Sequence, residues 1–311
     1  MSLASTDVVL NVYKEVSWTS HDAVSRVRRI LKERRVGHAG SLDPLASGVL
    51  LVGVGRGTKV LPYLMDLGKS YRGTFVFGRR TASGDSGGET IAEGEIPRID
   101  APALQAHADT FVGRSQQIPP MVSAVKHKGK RLYDLARKGI EVERAPRIVT
   151  IDRFQIVAID LPRVDFEVDC GKGTYVRTLV EDLAARLGAL ATVEALSRTA
   201  VGPFLIEDAC RLICDPCWER SGLLAQAISP ARALAHLPEV RVAPAWIHRV
   251  REGGVPPRSG LSFDGKVEPE TPVRLLGPEQ ELLALGRWEW MPGPADRPLL
   301  DSCTLRLERV L

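Results

Sequence analysis

The stretch Gly37-His38-Ala39-Gly40-Ser41-Leu42-Asp43-Pro44-Leu45-Ala46-Ser47-Gly48 places one carboxylate, Asp43, in a segment whose composition fixes its shape. Gly37, Gly40 and Gly48 accept backbone angles and close approaches that a Cβ resists, while Pro44 fixes its own φ and steers Asp43 away from helical angles. A carboxylate held this way is aimed, and the chemistry open to it is nucleophilic attack or proton abstraction. Gly, Asp and Pro also build ordinary turns, so the Asp-Pro pair alone decides little. The apolar run Val49 to Val54 that follows reads as a buried strand, a rigid support for the loop.

Other elements must carry the remaining polar and aromatic residues. Residues 21 to 35 read as an amphipathic helix, with Ala23, Val24, Val27, Ile30 and Leu31 on one face and Thr19-x-x-Asp22 as a capping box. Residues 71 to 77 read as a strand. So do 164 to 170, where Val164, Phe166, Val168 and Cys170 alternate with Asp165, Glu167 and Asp169. After a turn at Gly171-Lys172-Gly173, an extended Thr174 to Arg177 puts Tyr175 and Arg177 on one strand face, ahead of a helix over 178 to 187 that Gly188 ends. Residues 78 to 95, rich in Gly, Ser and Thr, read as a mobile loop with strand fragments. Strands and helices interleave without a regular βαβ repeat, which predicts an α+β domain with a mixed, mainly antiparallel central sheet flanked by helices and loops.

Composition changes near residue 235. Beyond it Gly and Pro punctuate short apolar pieces, Val240 to Val242, Pro272 to Leu276, Leu282 to Leu285 and Thr304 to Val310, as in a small β-rich domain. The expected division is 1–235 and 236–311.

Charge is concentrated more than it is abundant. The 311-residue chain has a net charge of +4, yet residues 118 to 153 hold nine Lys/Arg against four acids, and residues 25 to 36 hold six against one. Two basic segments beside a near-neutral remainder suit contact with a phosphate backbone, and each run taken singly also suits a solvated face. The C-terminal segment 236–311 carries ten Lys/Arg and eleven Asp/Glu, so it offers shape rather than a strong pull. No apolar run approaches the roughly 18 residues a membrane span needs. Met1 to Val8 lacks the pattern of a secretory signal, which makes a cytoplasmic protein the expectation. Cys210, Cys214 and Cys217 cluster, but no second Cys/His pair completes a zinc site, and reduced thiols are expected. Gly53-Val-Gly55-Arg-Gly57-Thr58-Lys59 follows an apolar strand like a nucleotide-binding loop, yet its spacing fits neither common phosphate-loop pattern and Pro62 interrupts a following helix.

The Asp43 loop, taken whole, resembles the signature of the bacterial tRNA pseudouridine-55 synthases, the TruB-type family. The resemblance continues in order through Lys14, Tyr71-Arg72, Pro119-Pro120-x-x-Ser123-Ala124-x-Lys126 with Gly129-Lys130-Arg131-Leu132-Tyr133, Lys172-Gly173-Thr174-Tyr175-Val176-Arg177, Leu196 and Arg198, over roughly residues 9 to 235. It implies a stand-alone enzyme that isomerises uridine 55 in the T-loop of tRNA after flipping the base, with no cofactor, no metal, no obligatory protein partner, and a monomeric state. The resemblance assigns catalysis to Asp43, Tyr71 and Arg177, with Arg177 orienting Asp43. It gives the pocket to Tyr71, Tyr175 and Leu196, and lets His38 fill the gap in the RNA. Lys14 and the segment 118–147, a thumb-like insertion bearing Lys126, Lys130 and Arg131, would grip phosphates of the tRNA T-loop and stem. Residues 236–311 look like a divergent PUA-type domain.

Three departures fall in RNA-facing loops: Lys14-Glu15-Val16-Ser17 replaces Lys-Pro-x-Gly, Val122 replaces a Tyr, and Ala82 stands where an Asp is usual, with Asp85 left as a supporting acid. Other functions stay open on the residues alone, namely a guide-dependent ribosomal RNA synthase of related fold and a non-catalytic tRNA-binding or folding chaperone.

Overall fold

The computed structural model describes residues 6–123, 125–214, 217–263, 269–290 and 303–311. Its main sheet runs in the order Cys210–Arg211, Val8–Lys14, Ser47–Val54, Ala191–Val201, Lys69–Phe77, Arg163–Cys170, Arg147–Asp160 and Gly113–Gln117, with the short strands Val36–Ala39 and Phe204–Leu205 joined to Ser47–Val54 and Ala191–Val201. Two pairings are parallel, Val8–Lys14 with Cys210–Arg211 and Ala191–Val201 with Ser47–Val54; the other pairings are antiparallel. This is the expected α+β architecture.

Strand Ser47–Val54 is buried at every residue because both of its faces are covered. Leu50, Val52 and Val54 pack with Ala23, Val24, Val27 and Leu31 of helix Ser20–Leu31, while Val49 and Leu51 face Val60, Leu64 and Leu234. The helix begins as its sequence predicts. Thr19 Oγ1 accepts from the Asp22 amide at 3.1 Å, and Asp22 Oδ2 accepts from the Thr19 amide at 2.8 Å, closing the capping box. Strand Arg163–Cys170 keeps its alternation, with Val164, Phe166, Val168 and Cys170 buried in the core beneath Phe75 and Phe154.

Several expectations are corrected. Residues 174 to 177 are not a strand: helix Val176–Arg186 starts two residues earlier than expected, so Tyr175 is its cap residue and Arg177 lies in its first turn. Within 78–95 the expected strand fragments are Arg79–Thr81 and Thr90–Glu93, and they pair with each other into a small ribbon. Gly57 sits in a short helix, Gly55–Val60, where a Cβ would run into the Val8 carbonyl, so packing calls for glycine here, in line with the poor phosphate-loop spacing of this stretch. Cys210 and Cys217, expected as reduced thiols, are joined in a disulfide with their Cα atoms 6.1 Å apart, within the core that helix Ser20–Leu31 covers. Cys170 and Cys214 are free.

Strand Gly113–Gln117 pairs antiparallel with the start of Arg147–Asp160, so the chain between them leaves and re-enters the sheet at neighbouring points. That excursion carries a small hairpin, Lys126–His127 against Lys130–Arg131, and helix Leu132–Ala136. Near the C-terminus a second sheet runs in the order Leu261–Ser262, Glu239–Val242, Pro272–Leu276, Leu282–Trp290, Cys303–Val310. It has its own core around Val240, Val273, Leu275 and Trp288, and docks through Leu285 onto Ala233 and Leu234. Among the described residues no helix is long and apolar enough to cross a membrane.

Candidate active site

Asp43 lies in the connection between strands Val36–Ala39 and Ser47–Val54, and the loop is tied down from several directions. Ser20 Oγ accepts from the Leu42 amide at 2.9 Å and donates to the Leu42 carbonyl at 3.3 Å, and the Ser17 amide donates to the Pro44 carbonyl at 2.8 Å. Arg198, only 1% exposed, donates from Nε to the Val49 carbonyl at 2.7 Å and from Nη2 to the Gly40 carbonyl at 3.2 Å. Gly48 has φ +103°, and a Cβ there would collide with the Arg198 carbonyl. No side chain other than hydrogen fits that crossing of two strands.

Arg177 projects from the first turn of its helix to Asp43. Its Nε donates to Asp43 Oδ2 at 2.8 Å, its Nη2 donates to the Val122 carbonyl at 2.9 Å, and its Nη1 donates to the Ser83 carbonyl. A second carboxylate approaches from the ribbon: Asp85 Oδ2 is 3.8 Å from Arg177 Nε, and Asp85 Oδ1 accepts from Ser83 Oγ at 2.7 Å and from the Gly87 amide at 3.1 Å. Four segments distant in sequence therefore meet at one guanidinium. The fork of donors on arginine is what allows this, since a lysine ammonium has no fixed planar geometry.

Around this pair is a cavity of about 550 Å³, lined by Asp43, Tyr71, Tyr175, Arg177, Leu196 and Arg198 among others. Tyr71 stands on strand Lys69–Phe77 directly opposite Arg198. Burial pushes its hydroxyl pKa up, opposed by the nearby Arg198 cation, so the phenol stays protonated at neutral pH. Burial likewise raises the Tyr175 hydroxyl. The Tyr175 backbone is clamped by one side chain, Gln117, whose Oε1 accepts from the Tyr175 amide at 2.8 Å and whose Nε2 donates to the Tyr175 carbonyl at 3.1 Å. Leu196 is 9% exposed and sits two residue pairs from Tyr71, opposite Gly73.

The expected RNA contacts divide. Lys126, Lys130 and Arg131 are exposed on the hairpin of the 118–146 excursion. Lys14 is not available to a phosphate: it is fully buried, and its Nζ donates to the carbonyls of Trp18 at 2.5 Å, Glu15 at 3.0 Å and Pro44 at 3.3 Å. Its stem is long enough to thread from a core strand to the turn that supports Asp43, which makes it a strut. Burial lowers its pKa to about 8. His38, half-buried on strand Val36–Ala39, does not line the Asp43 cavity, and burial followed by nearby Arg198 lowers its pKa. The cavity also holds Lys69, which no motif singles out, together with Arg147 of the basic segment and Lys172 of the turn before Tyr175. Gln117, the clamp on Tyr175, was missed as well, because a lone glutamine before Pro119-Pro120 carries no spacing signal.

A carboxylate aimed by an arginine, beside two tyrosines in a pocket, can act on a flat polar ring that lies against the aromatics. The fold narrows the class. It matches a chain in the structure titled "Crystal Structure of a Cbf5-Nop10-Gar1 Complex" with a TM-score of 0.73, covering 97% of this chain and 83% of that one at 23% identity. A comparable match, TM-score 0.73 over 99% of this chain and 87% of the other, is to "Crystal structure of the archaeal box H/ACA sRNP Nop10-Cbf5 complex", also at 23% identity. Sequence relationships go further. The family model described as TruB family pseudouridylate synthase (N terminal domain) matches residues 28–176. The chain is 40% identical over 271 residues to tRNA pseudouridine synthase B of Syntrophotalea carbinolica, covering 87% of this chain and 88% of that one. It is 41% identical over 296 residues to the protein of the same name from Moorella thermoacetica, covering 90% and 93%. The chain belongs to the TruB family of pseudouridylate synthases.

Proposed function

We propose that this chain is a stand-alone, cytoplasmic, monomeric tRNA pseudouridine synthase that isomerises uridine 55 of the T-loop, with Asp43 at the reacting sugar or base. Conversion breaks the N1–C1′ bond, forms C5–C1′, removes a proton from C5 and leaves one on N1. Atoms and electrons balance within the nucleotide, so the chemistry calls for no redox partner or group donor.

The observation that carries this reading is the Asp43–Arg177 pair, 2.8 Å apart at the edge of a cavity that also holds Tyr71, Tyr175 and Leu196. Asp43 assists by covalent attack or by promoting loss of the base, roles that need a fixed direction. Tyr71 supports the flipped base and, with its hydroxyl protonated, supplies or relays a proton. The exposed Lys126, Lys130 and Arg131 hold the RNA backbone from the 118–146 excursion, and residues 236–311 act as a PUA-like domain. His38, on the adjacent strand, occupies the space the flipped base leaves.

Incubating purified protein with a lone tRNA transcript and mapping pseudouridine by sequencing tests this. Modification at uridine 55 supports it. Modification that requires a guide RNA or added protein selects the guide-dependent reading, and tRNA binding without modification selects the chaperone.

A further inference from the structure

A second surface lies on the other side of the Asp43 loop's supporting turn. A hollow of about 540 Å³ is lined by Trp18, Asp22, Ser25, Arg26, Arg29, Ile213 and Trp218. Trp218 is 49% exposed and Ile213 54% exposed, an expensive arrangement for a large indole and a branched aliphatic side chain on a soluble surface. Each of the two sits beside an anchored residue: Arg26 Nε donates to the carbonyl of Leu212, next to Ile213, at 3.2 Å, and Cys217, next to Trp218, is joined to Cys210. The apolar pair is thus held out to solvent and does not arise from a loose tail.

Charge favours one kind of partner. Arg29 is exposed on helix Ser20–Leu31, and the same segment continues with Lys32, Arg34 and Arg35 against Glu33. Asp22, the acid at the rim, is engaged with both the amide and the hydroxyl of Thr19, at 2.8 and 2.7 Å, as the helix cap. Two indoles beside arginines match the pattern by which proteins hold unpaired nucleotides: a base stacks on the aromatic face while cations take the flanking phosphates. A duplex keeps its base faces covered and cannot use the indoles.

The hollow also neighbours the turn that supports Asp43. Trp18 belongs to the turn in which Ser17 donates to the Pro44 carbonyl, and Lys14 Nζ bridges the Trp18 and Pro44 carbonyls.

We infer that the Trp18–Trp218 hollow is a second RNA-binding surface, which takes an unpaired nucleotide of the substrate RNA outside the T arm by stacking on Trp218 with Arg29 on its phosphate. This rests on the tRNA reading above. It predicts that the chain distinguishes an intact tRNA from an isolated T-arm hairpin, although both present the same uridine.

The test measures affinity and single-turnover rate of the full chain on intact tRNA transcript and on a T-arm hairpin, for the parent, Trp218→Ala, Trp218→Phe and Arg29→Gln. Trp218→Ala is expected to weaken intact tRNA binding about five- to tenfold, from loss of one base stack, and to leave hairpin affinity and turnover unchanged. Trp218→Phe is expected to retain most of the affinity, and Arg29→Gln to lower the log-log salt slope for intact tRNA by about 0.7 to 0.9. Unchanged hairpin turnover shows that the variants fold. Equal affinity of Trp218→Ala and parent for intact tRNA overturns the inference, as does an equal loss on tRNA and hairpin, which would make the hollow part of the T-arm site. A parent protein that binds neither RNA refutes the tRNA reading itself.

Discussion

Arg177 and Asp43 form an ion pair that is buried at one end only. Nε and Oδ2 are 2.8 Å apart, while the arginine side chain is 3% exposed and the aspartate side chain 39%. The arginine is fixed from behind by Ser83, Val122 and Asp85, so the free edge of the carboxylate faces the cavity with its direction set. The Val122 contact uses a carbonyl. Valine in place of the tyrosine expected there from the family resemblance therefore leaves this anchor intact.

Replacing Asp43 with Asn is expected to abolish turnover while leaving tRNA affinity within about tenfold, since the amide is nearly isosteric but a poor nucleophile and base. Single-turnover assays with tritium release or sequencing check this. Appreciable residual rate, with deamidation excluded by mass spectrometry, would take catalysis away from Asp43.

Arg177→Met removes the cation between two carboxylates and frees three acceptors. A loss of on the order of 2 to 3 kcal/mol is expected, below the usual range for breaking a fully buried pair because Asp43 is partly solvated. Arg177→Lys should recover part of the stability but little of the turnover, because an ammonium cannot reach Asp43, Ser83 and Val122 in one plane. Urea melts beside activity assays separate the two effects.

Lys14 makes a pH prediction whose sign is opposite to that of a lysine held by an ion-pair partner, whose folded pKa is raised. Burial lowers its folded pKa from 10.5 to about 8, so between these values the unfolded chain binds a proton that the folded chain does not. Stability from this group therefore rises with pH from about 8 to 10.5 and is flat on either side. The stability difference between parent and Lys14→Met should grow by about 1 kcal/mol per pH unit inside that window. Denaturant midpoints at pH 7, 9 and 10 measure it, and a difference that stays constant would place the Lys14 ammonium in water.

Neutralising Lys126, Lys130 and Arg131 together is expected to weaken tRNA binding and flatten its salt dependence, each lost phosphate contact removing about 0.7 to 0.9 from the log-log slope. The three side chains are exposed, so the fold should be unaffected. A slope equal to the parent's would mark the hairpin as a solvated face.

What sequence made legible here is what local chemistry controls. The Thr19–Asp22 box, the alternation over 164–170 and the doubly covered run at 49–54 each encode their own burial, and each appears in the structure. The helical position of Arg177 was not legible, because its helix start has no capping side chain of its own. Gln117, 58 residues away, supplies the hydrogen bonds to the cap residue. Lys14 was misplaced for a related reason: the carbonyl cage that buries it is built from the Glu15–Trp18 turn and from Pro44, thirty residues on. Charged side chains that stabilise a site by non-local contacts look, in one dimension, like residues waiting for a ligand.

Tyr71→Phe separates the two duties proposed for this side chain. The ring that would support a flipped base survives, and aromatic stacking worth about 1 to 3 kcal/mol per base should keep tRNA binding nearly intact. Only the hydroxyl is lost. That hydroxyl is buried and its pKa raised, so in the parent it is a proton donor throughout the working pH range and its ionisation cannot shape the rate near neutrality. If it serves in acid-base catalysis, turnover should fall by about two to four orders of magnitude with KM little changed. Tyr71→Ala should weaken binding as well, because the platform itself goes. Parent-like single-turnover rates for Tyr71→Phe would leave Tyr71 a stacking surface only. The proton would then have to be handled by Tyr175, the other phenol in the cavity, and Tyr175→Phe becomes the variant on which the rate should collapse.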